Sequence, residues 1–156
     1  MSGRASYQGP ALPGNYRILG NLGADFDYPG GNVLISLSGP IAGPVLPDFG
    51  WYDFTGVISF EFLDPDPAAD ILVYLRQTVA PIVTGSNYNI SARNQRGPAD
   101  DTDWRTFALG NRFPLLPSHG TGPPFTPSFE FLLQCASSFT VHSETSWVIN
   151  LAREAD

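Results

Sequence analysis

An all-β fold is what this sequence predicts, a two-sheet antiparallel sandwich of jelly-roll-like type with eight or nine strands, and three observations predict it. Apolar residues recur with period two through most of the chain. No segment longer than one turn keeps a 3.6-residue period. Clusters of Gly, Pro, Asn and Asp punctuate the short apolar runs. The chain has 156 residues, the length of one domain, and a domain of that size buries roughly 70% of its unfolded surface without a staple.

The elements follow in order. Residues 1–14 (MSGRASYQGPALPG) carry three Gly, two Pro and no periodicity, and read as a flexible N-terminal arm. The domain proper is expected over 15–156, starting with a weak strand at 15–20. Val33, Ile35 and Leu37 then alternate with Asn32, Ser36 and Ser38. Residues 39–50 (GPIAGPVLPDFG) form a first long Pro/Gly-rich loop. The clearest half-buried strand follows: Tyr52, Phe54, Ile58, Phe60 and Phe62 share one face, interrupted by Gly56, and Asp53, Thr55, Ser59 and Glu61 share the other. Ile71–Leu75 is almost continuously apolar and β-rich, which predicts a central strand covered on both faces. Tyr88 and Ile90 alternate with Asn87, Asn89 and Ser91, and a weaker strand is expected at 103–109. Residues 110–127 (GNRFPLLPSHGTGPPFTP) form the second long loop. Phe129, Phe131, Leu133 and Cys135 share a strand face, and two further strands run through Phe139–Val141 and Trp147–Leu151.

The two loops are too apolar for solvent. Ile41, Val45, Leu46, Phe113, Leu115, Leu116 and Phe125 either pack onto the sandwich or bind a partner, and they are the partner-binding candidates. Charged residues are 15% of the chain, against about 25% in an ordinary soluble domain, so the surface is suited to cover by another protein.

The net charge is −7, and all eight basic residues are scattered Arg, the nearest pair being Arg93 and Arg96. A phosphate-binding surface needs clustered positive charge. Neither nucleic acid nor membrane is therefore an expected partner. Met1–Gly20 lacks an apolar run behind positive charge, so no signal peptide is expected and folding in a cytoplasm is.

Catalytic chemistry is not expected. His119 lies in a Gly/Pro loop and His142 on the polar side of a strand, with no Gly-x-Ser-x-Gly elbow and no zinc-ligand spacing. Asp64, Asp66 and Asp70, and Asp100, Asp101 and Asp103, crowd two turns that could attract calcium, yet neither has the spacing or the Gly of an EF-hand loop. Asp is also an ordinary turn residue. No metal and no cofactor are expected. The single cysteine, Cys135, reads as a small buried hydrophobe. Trp104, between Asp103 and Arg105, is the alternative site, where an indole beside charged groups could stack on a sugar or anchor a partner.

From about residue 15 to 153 the pattern of short strands and long loops such as 110–127 resembles the small jelly-roll proteins of virions: spikes, decoration proteins and minor capsid subunits. That resemblance is architectural, without a family motif. It implies a non-enzymatic structural protein on the outside of a virion, working by protein–protein contact as a trimer, a pentamer or part of a capsid lattice. The arm Met1–Gly14 has one basic residue, Arg4, where RNA-packaging coat proteins have a basic tract. The alternative is a carbohydrate- or ligand-binding sandwich. An enzyme of cupin type ranks below both, because the His/Glu metal cluster is not apparent in the sequence.

Overall fold

A computed structural model describes residues 6–10, 15–63, 71–80, 87–95, 104–115, 117 and 123–154, with the backbone alone described for 6–10, 78–80, 87–95 and 104–105. Two antiparallel sheets face each other. In chain order the strands are β1 (Ser6–Pro10), β2 (Asn15–Asn21), β3 (Phe26–Tyr28), β4 (Ile35–Ser36), β5 (Ile41–Ala42) and β6 (Gly50–Leu63), then β7 (Ile71–Ala80), β8 (Asn87–Gln95), β9 (Trp104–Leu115), β10 (Thr126–Cys135), β11 (Phe139–Val141) and β12 (Ser146–Arg153). Among the described residues the strands number twelve, against the eight or nine expected; eight have five residues or more and four are short pieces. No α-helix occurs among the described residues.

The seven-stranded sheet has the order β1-β2-β12-β6-β11-β3, with β9 also on β6, and the five-stranded sheet has the order β4-β10-β7-β8, with β5 also on β10. From β6 onward the chain alternates between sheets: β7 and β8 lie in the smaller, β9 in the larger, β10 in the smaller, β11 and β12 in the larger. Such crossing gives each sheet an inner face made by distant parts of the sequence.

Period-two patterning sets that inner face. In β6 the burial alternates strictly, so Tyr52, Phe54, Ile58, Phe60 and Phe62 point inward. In β10 Phe129, Phe131, Leu133 and Cys135 do the same from the other sheet. Each fully buried large apolar side chain is worth about 1.5–3 kcal/mol relative to exposure. Rings interlock across the core, as Phe54 does with Phe129 at 5.6 Å and Phe131 with Trp147 at 5.8 Å between centroids. Cys135, the single cysteine, is buried and is not part of a disulfide.

Four expectations are corrected. The presumed arm contributes a strand, since β1 pairs antiparallel with β2. Residues 32–38 keep only two strand residues, because left-handed backbone at Asn32 (φ 58°) and Gly39 (φ 67°) ends the extended run and leaves Val33 and Leu34 exposed. β7 is central, between β10 and β8, but only its Ile71, Val73, Leu75 and Gln77 side is buried, with Leu72, Tyr74 and Arg76 half-buried. The second loop begins later than expected, because β9 runs unbroken to Leu115, paired residue for residue with β6.

The apolar loop residues are a further correction. Ile41, Leu46, Phe113, Leu115 and Phe125 are buried in the chain's own core and are not available to a partner. The reason is pairing: Ile41 lies opposite Phe129 in β10, and Leu46 and Phe125 exchange backbone hydrogen bonds of 2.7 and 2.8 Å. Val45 alone of the group is exposed, at 58%, and Leu116 lies outside the described residues.

Candidate interaction surface

Burying one face of β6, β9, β12 and β2 turns their alternate residues outward. The registers align those residues in rows across the four strands. One row is Ala108, Val57, Val148 and Leu19, because Val57 pairs with both Ala108 and Val148, and Val148 pairs with Leu19. All four sit at the phase of the strand that elsewhere carries polar residues, and they are exposed or half-buried. The row beside it, Thr106, Ser59, Ser146 and Asn21, is polar and uncharged, with a 3.0 Å contact between the Ser59 and Thr106 hydroxyls. On the other side lie Gly110, Thr55, Asn150 and Arg17. The middle of the outer face is thus mostly uncharged and crossed by an apolar stripe.

One end of this face carries a charged cluster. The Arg112 guanidinium lies 4.0 Å from the centre of the Trp51 ring and covers one face of it. It also donates two hydrogen bonds of 2.9 Å to the Glu154 carboxylate, the paired geometry in which Arg holds a carboxylate best. Arg112 thereby holds Glu154 below the ordinary carboxylate range, helped by Asp53. The hydrogen bond that Asp53 shares with Glu154 raises the Asp53 carboxyl, with burial and the Glu154 charge adding to the rise. Behind the cluster the end of β12 is strapped to the start of β6. Glu154 N–H donates to the Trp51 carbonyl at 2.8 Å and Arg153 Nε to the Phe49 carbonyl at 2.9 Å. Gly50 (φ 145°) is required there, because L side chains rarely adopt that backbone conformation, and a Cβ would also crowd Arg153 Nε at 2.8 Å. Trp51, Asp53 and Arg112 belong together because β6 and β9 pair Trp51 with Pro114 and Asp53 with Arg112.

The sequence reading missed this surface. Its signal was present: Val57 and Val148 break the polar phase of strands whose apolar phase was read correctly. Val57 and Val148 are recognised as one stripe only when the register is known. Of the alternative ligand site, Trp104 and Arg105 open β9 opposite Glu61 and Phe60, with backbone alone described, and Asp103 lies outside the described residues. The Asp64–Asp70 and Asp100–Asp103 turns and His119 also lie outside them, as does Arg96, while Arg93 is described by its backbone in β8.

No protein-family model matches the chain. No curated protein matches it either. Solved structures do. A chain in the structure of infectious bursal disease virus, Gx strain, is 12% identical and superposes with a TM-score of 0.50 over 99% of this chain and 33% of the viral one. The VP2 subviral particle of the same virus gives 12% identity, a TM-score of 0.43, and coverage of 99% and 39%. Eiger TNF from S. frugiperda gives 13% identity, a TM-score of 0.39, and coverage of 85% and 93%. The protein therefore spans about a third of the viral chain's length. At 12% identity the likeness concerns the fold: a sandwich of the kind used in a virus particle.

Proposed function

We propose that this protein is a non-enzymatic structural component of a virion, and that it works by docking the outer face of its seven-stranded sheet against protein. The observation that carries this reading is the outward row Ala108, Val57, Val148 and Leu19. A contiguous apolar row on the outer side of a sandwich whose inner face is already filled is the kind of surface that marks a protein interaction site. The low charge content of the chain fits a surface covered by protein, and the fold likeness to the virus chain supplies the setting. An outer position, as spike, decoration or minor capsid subunit, accords with a net charge of −7, which repels nucleic acid. The partner is a further copy of the chain, as a trimer, a pentamer or a lattice.

Size-exclusion chromatography with light scattering tests the proposal. The unmodified chain should run as an oligomer, and Val148→Asp should run as a monomer with little change in melting temperature. A monomeric unmodified chain, or a Val148→Asp oligomer, would overturn it.

A further inference from the structure

The paired strands β2 and β12 enclose a depression of about 310 Å³, lined by Asn15, Tyr16 and Arg17 on one strand and Asn150, Leu151 and Ala152 on the other. The six are neighbours by register: Arg17 pairs with Asn150, Tyr16 with Leu151 and Asn15 with Ala152. Asn15, Arg17, Asn150 and Ala152 stand at the outward phase of their strands, so the depression opens on the outer face of the seven-stranded sheet. Its origin is a difference in side-chain size. Ala152 lies between Asn15 and Asp53, and its single methyl group leaves a hollow that the longer neighbours wall in.

Arg17 differs from the other described arginine side chains. Arg76 faces Glu130 at 3.7 Å, Arg112 holds Glu154 by two hydrogen bonds of 2.9 Å, and Arg153 Nε donates to the Phe49 carbonyl at 2.9 Å. Arg17 is exposed, and among the described residues no carboxylate or carbonyl engages its guanidinium. The chain carries fifteen acidic residues and a net charge of −7, so an arginine left without an acidic partner is out of keeping with its composition. This one stands in the wall of a depression, where an incoming anion can reach it. The nearby Asp53 carboxyl is turned to Glu154, with which it shares a hydrogen bond.

We propose that this depression binds a small sugar acid, with the ligand carboxylate on Arg17 and its hydroxyls on Asn15 and Asn150. The guanidinium fork matches a carboxylate with two parallel hydrogen bonds. One cation balances one negative charge, whereas a phosphate monoester carries close to two at neutral pH. The two Asn amides each offer both donors and an acceptor, as a ring of hydroxyls requires. The Ala152 methyl supplies an apolar floor for the C–H face of the ring. A volume of about 310 Å³ is at the small end of ligand sites, the size for a single ring. The site is built within one chain and goes beyond the docking proposal, although it adjoins the apolar row: Asn150 and Arg17 lie two residues from Val148 and Leu19 on the same strands.

The test is a heteronuclear NMR titration of the full-length chain at neutral pH with sodium glucuronate and with sodium N-acetylneuraminate, glucose being the uncharged comparison. The parent and Val57→Asp are titrated side by side, because Val57→Asp charges the apolar row two strands away from Arg17 and uncovers the face if a second copy occupies it. At least one of the two acids should shift the Arg17 and Asn150 amides saturably, and glucose should bind at least about tenfold more weakly. Arg17→Ala should weaken binding of that acid by at least about tenfold while keeping the β circular dichroism spectrum of the parent. Arg17→Lys, which keeps the charge and loses the fork, should fall between the two. Arg76→Ala should bind as the parent does. Binding by Val57→Asp alone supports the site and shows that a second copy covers it in the parent. No saturable shift with either acid in either protein overturns the proposal. Glucose binding as tightly as the acids, or Arg17→Ala binding as tightly as the parent, overturns it as well.

Discussion

The Leu75 side chain fills the space that a Cβ at Gly56 would need, with its Cδ2 only 2.5 Å from that position. Gly56 is the gap in the inward aromatic face of β6, and Leu75 comes from the opposite sheet, with Phe131 Cζ at 3.3 Å beside it. The two sheets approach closely where the strand lacks a side chain. Gly56→Ala should destabilise the protein by about 1–3 kcal/mol, the ordinary cost of overpacking a filled core. Leu75→Ala alone should cost about 2–5 kcal/mol through the cavity it leaves. Chemical denaturation of the double variant should show a loss clearly smaller than the sum of the two, since each change accommodates the other.

Phe125→Asp should abolish folding. Phe125 is 1% exposed and stands edge-on to Phe49 at 5.7 Å, so a carboxylate there would be buried without a partner. A soluble, cooperatively melting Phe125→Asp protein would show that the 123–125 segment can leave the core.

Tyr28 holds the end of β10 by its hydroxyl. It accepts the Cys135 N–H at 2.8 Å and can donate to the carbonyl of Val33 at 2.7 Å or of Cys135 at 3.1 Å. Its ring stacks on Phe139 at 5.0 Å. Tyr28→Phe keeps the ring and strands a buried amide, so it should cost about 1–3 kcal/mol. Urea unfolding should show a lower midpoint with an unchanged slope.

Cys135 itself should resist labelling. Its side chain is buried on the inward face of β10. A thiol reagent should react with the native chain only at the rate of opening and promptly in denaturant. In Tyr28→Phe, native labelling should accelerate, because the strand end loses its tie.

The Asp53–Glu154 pair gives opposing pH effects. Glu154 binds its proton at lower pH in the folded chain than in the unfolded one, so its stabilisation is present above the unfolded value and is lost as pH falls through the folded value. Asp53 binds its proton at higher pH in the folded chain, so its contribution is present below the unfolded value and is lost as pH rises through the folded value. At neutral pH Asp53 is the strained partner. Asp53→Asn supplies a permanent donor for Glu154 and removes the like charge, so the melting temperature should rise slightly at pH 7. The gain should shrink toward acid pH, where the parent Asp53 already carries its proton. A lower melting temperature in Asp53→Asn at pH 7 would show that the carboxylate is needed by Arg112.

Strands were legible in the sequence where one face is buried and the other wet. β6, β10 and β12 follow that rule, and their inward residues were read correctly from alternation. β9 was cut short because Gly110, Asn111, Arg112 and Pro114 look like a turn. Among the described residues β9 pairs within its sheet only with β6, and an edge strand tolerates a proline that a central strand rejects. Leu46 and Phe125 were recognised as too apolar for solvent, but the sequence does not say that two loops pair with each other across the end of β10. The outward stripe and the depression at Arg17 and Asn150 were illegible for one shared reason. Both depend on which residue lies beside which in neighbouring strands, and a one-residue slip would dissolve them.

The position of β12 has a consequence for synthesis on the ribosome. It lies between β2 and β6, so the middle of the larger sheet is supplied by the last strand of the fold to be translated. Until residues 146–153 emerge, β2 and β6 each present an unpaired backbone edge to the surrounding cell. A nascent chain in that state is slow to complete and apt to join with its neighbours. Expression at low temperature, or with a holding chaperone, should therefore raise the soluble yield more than any stabilising change within the first hundred residues.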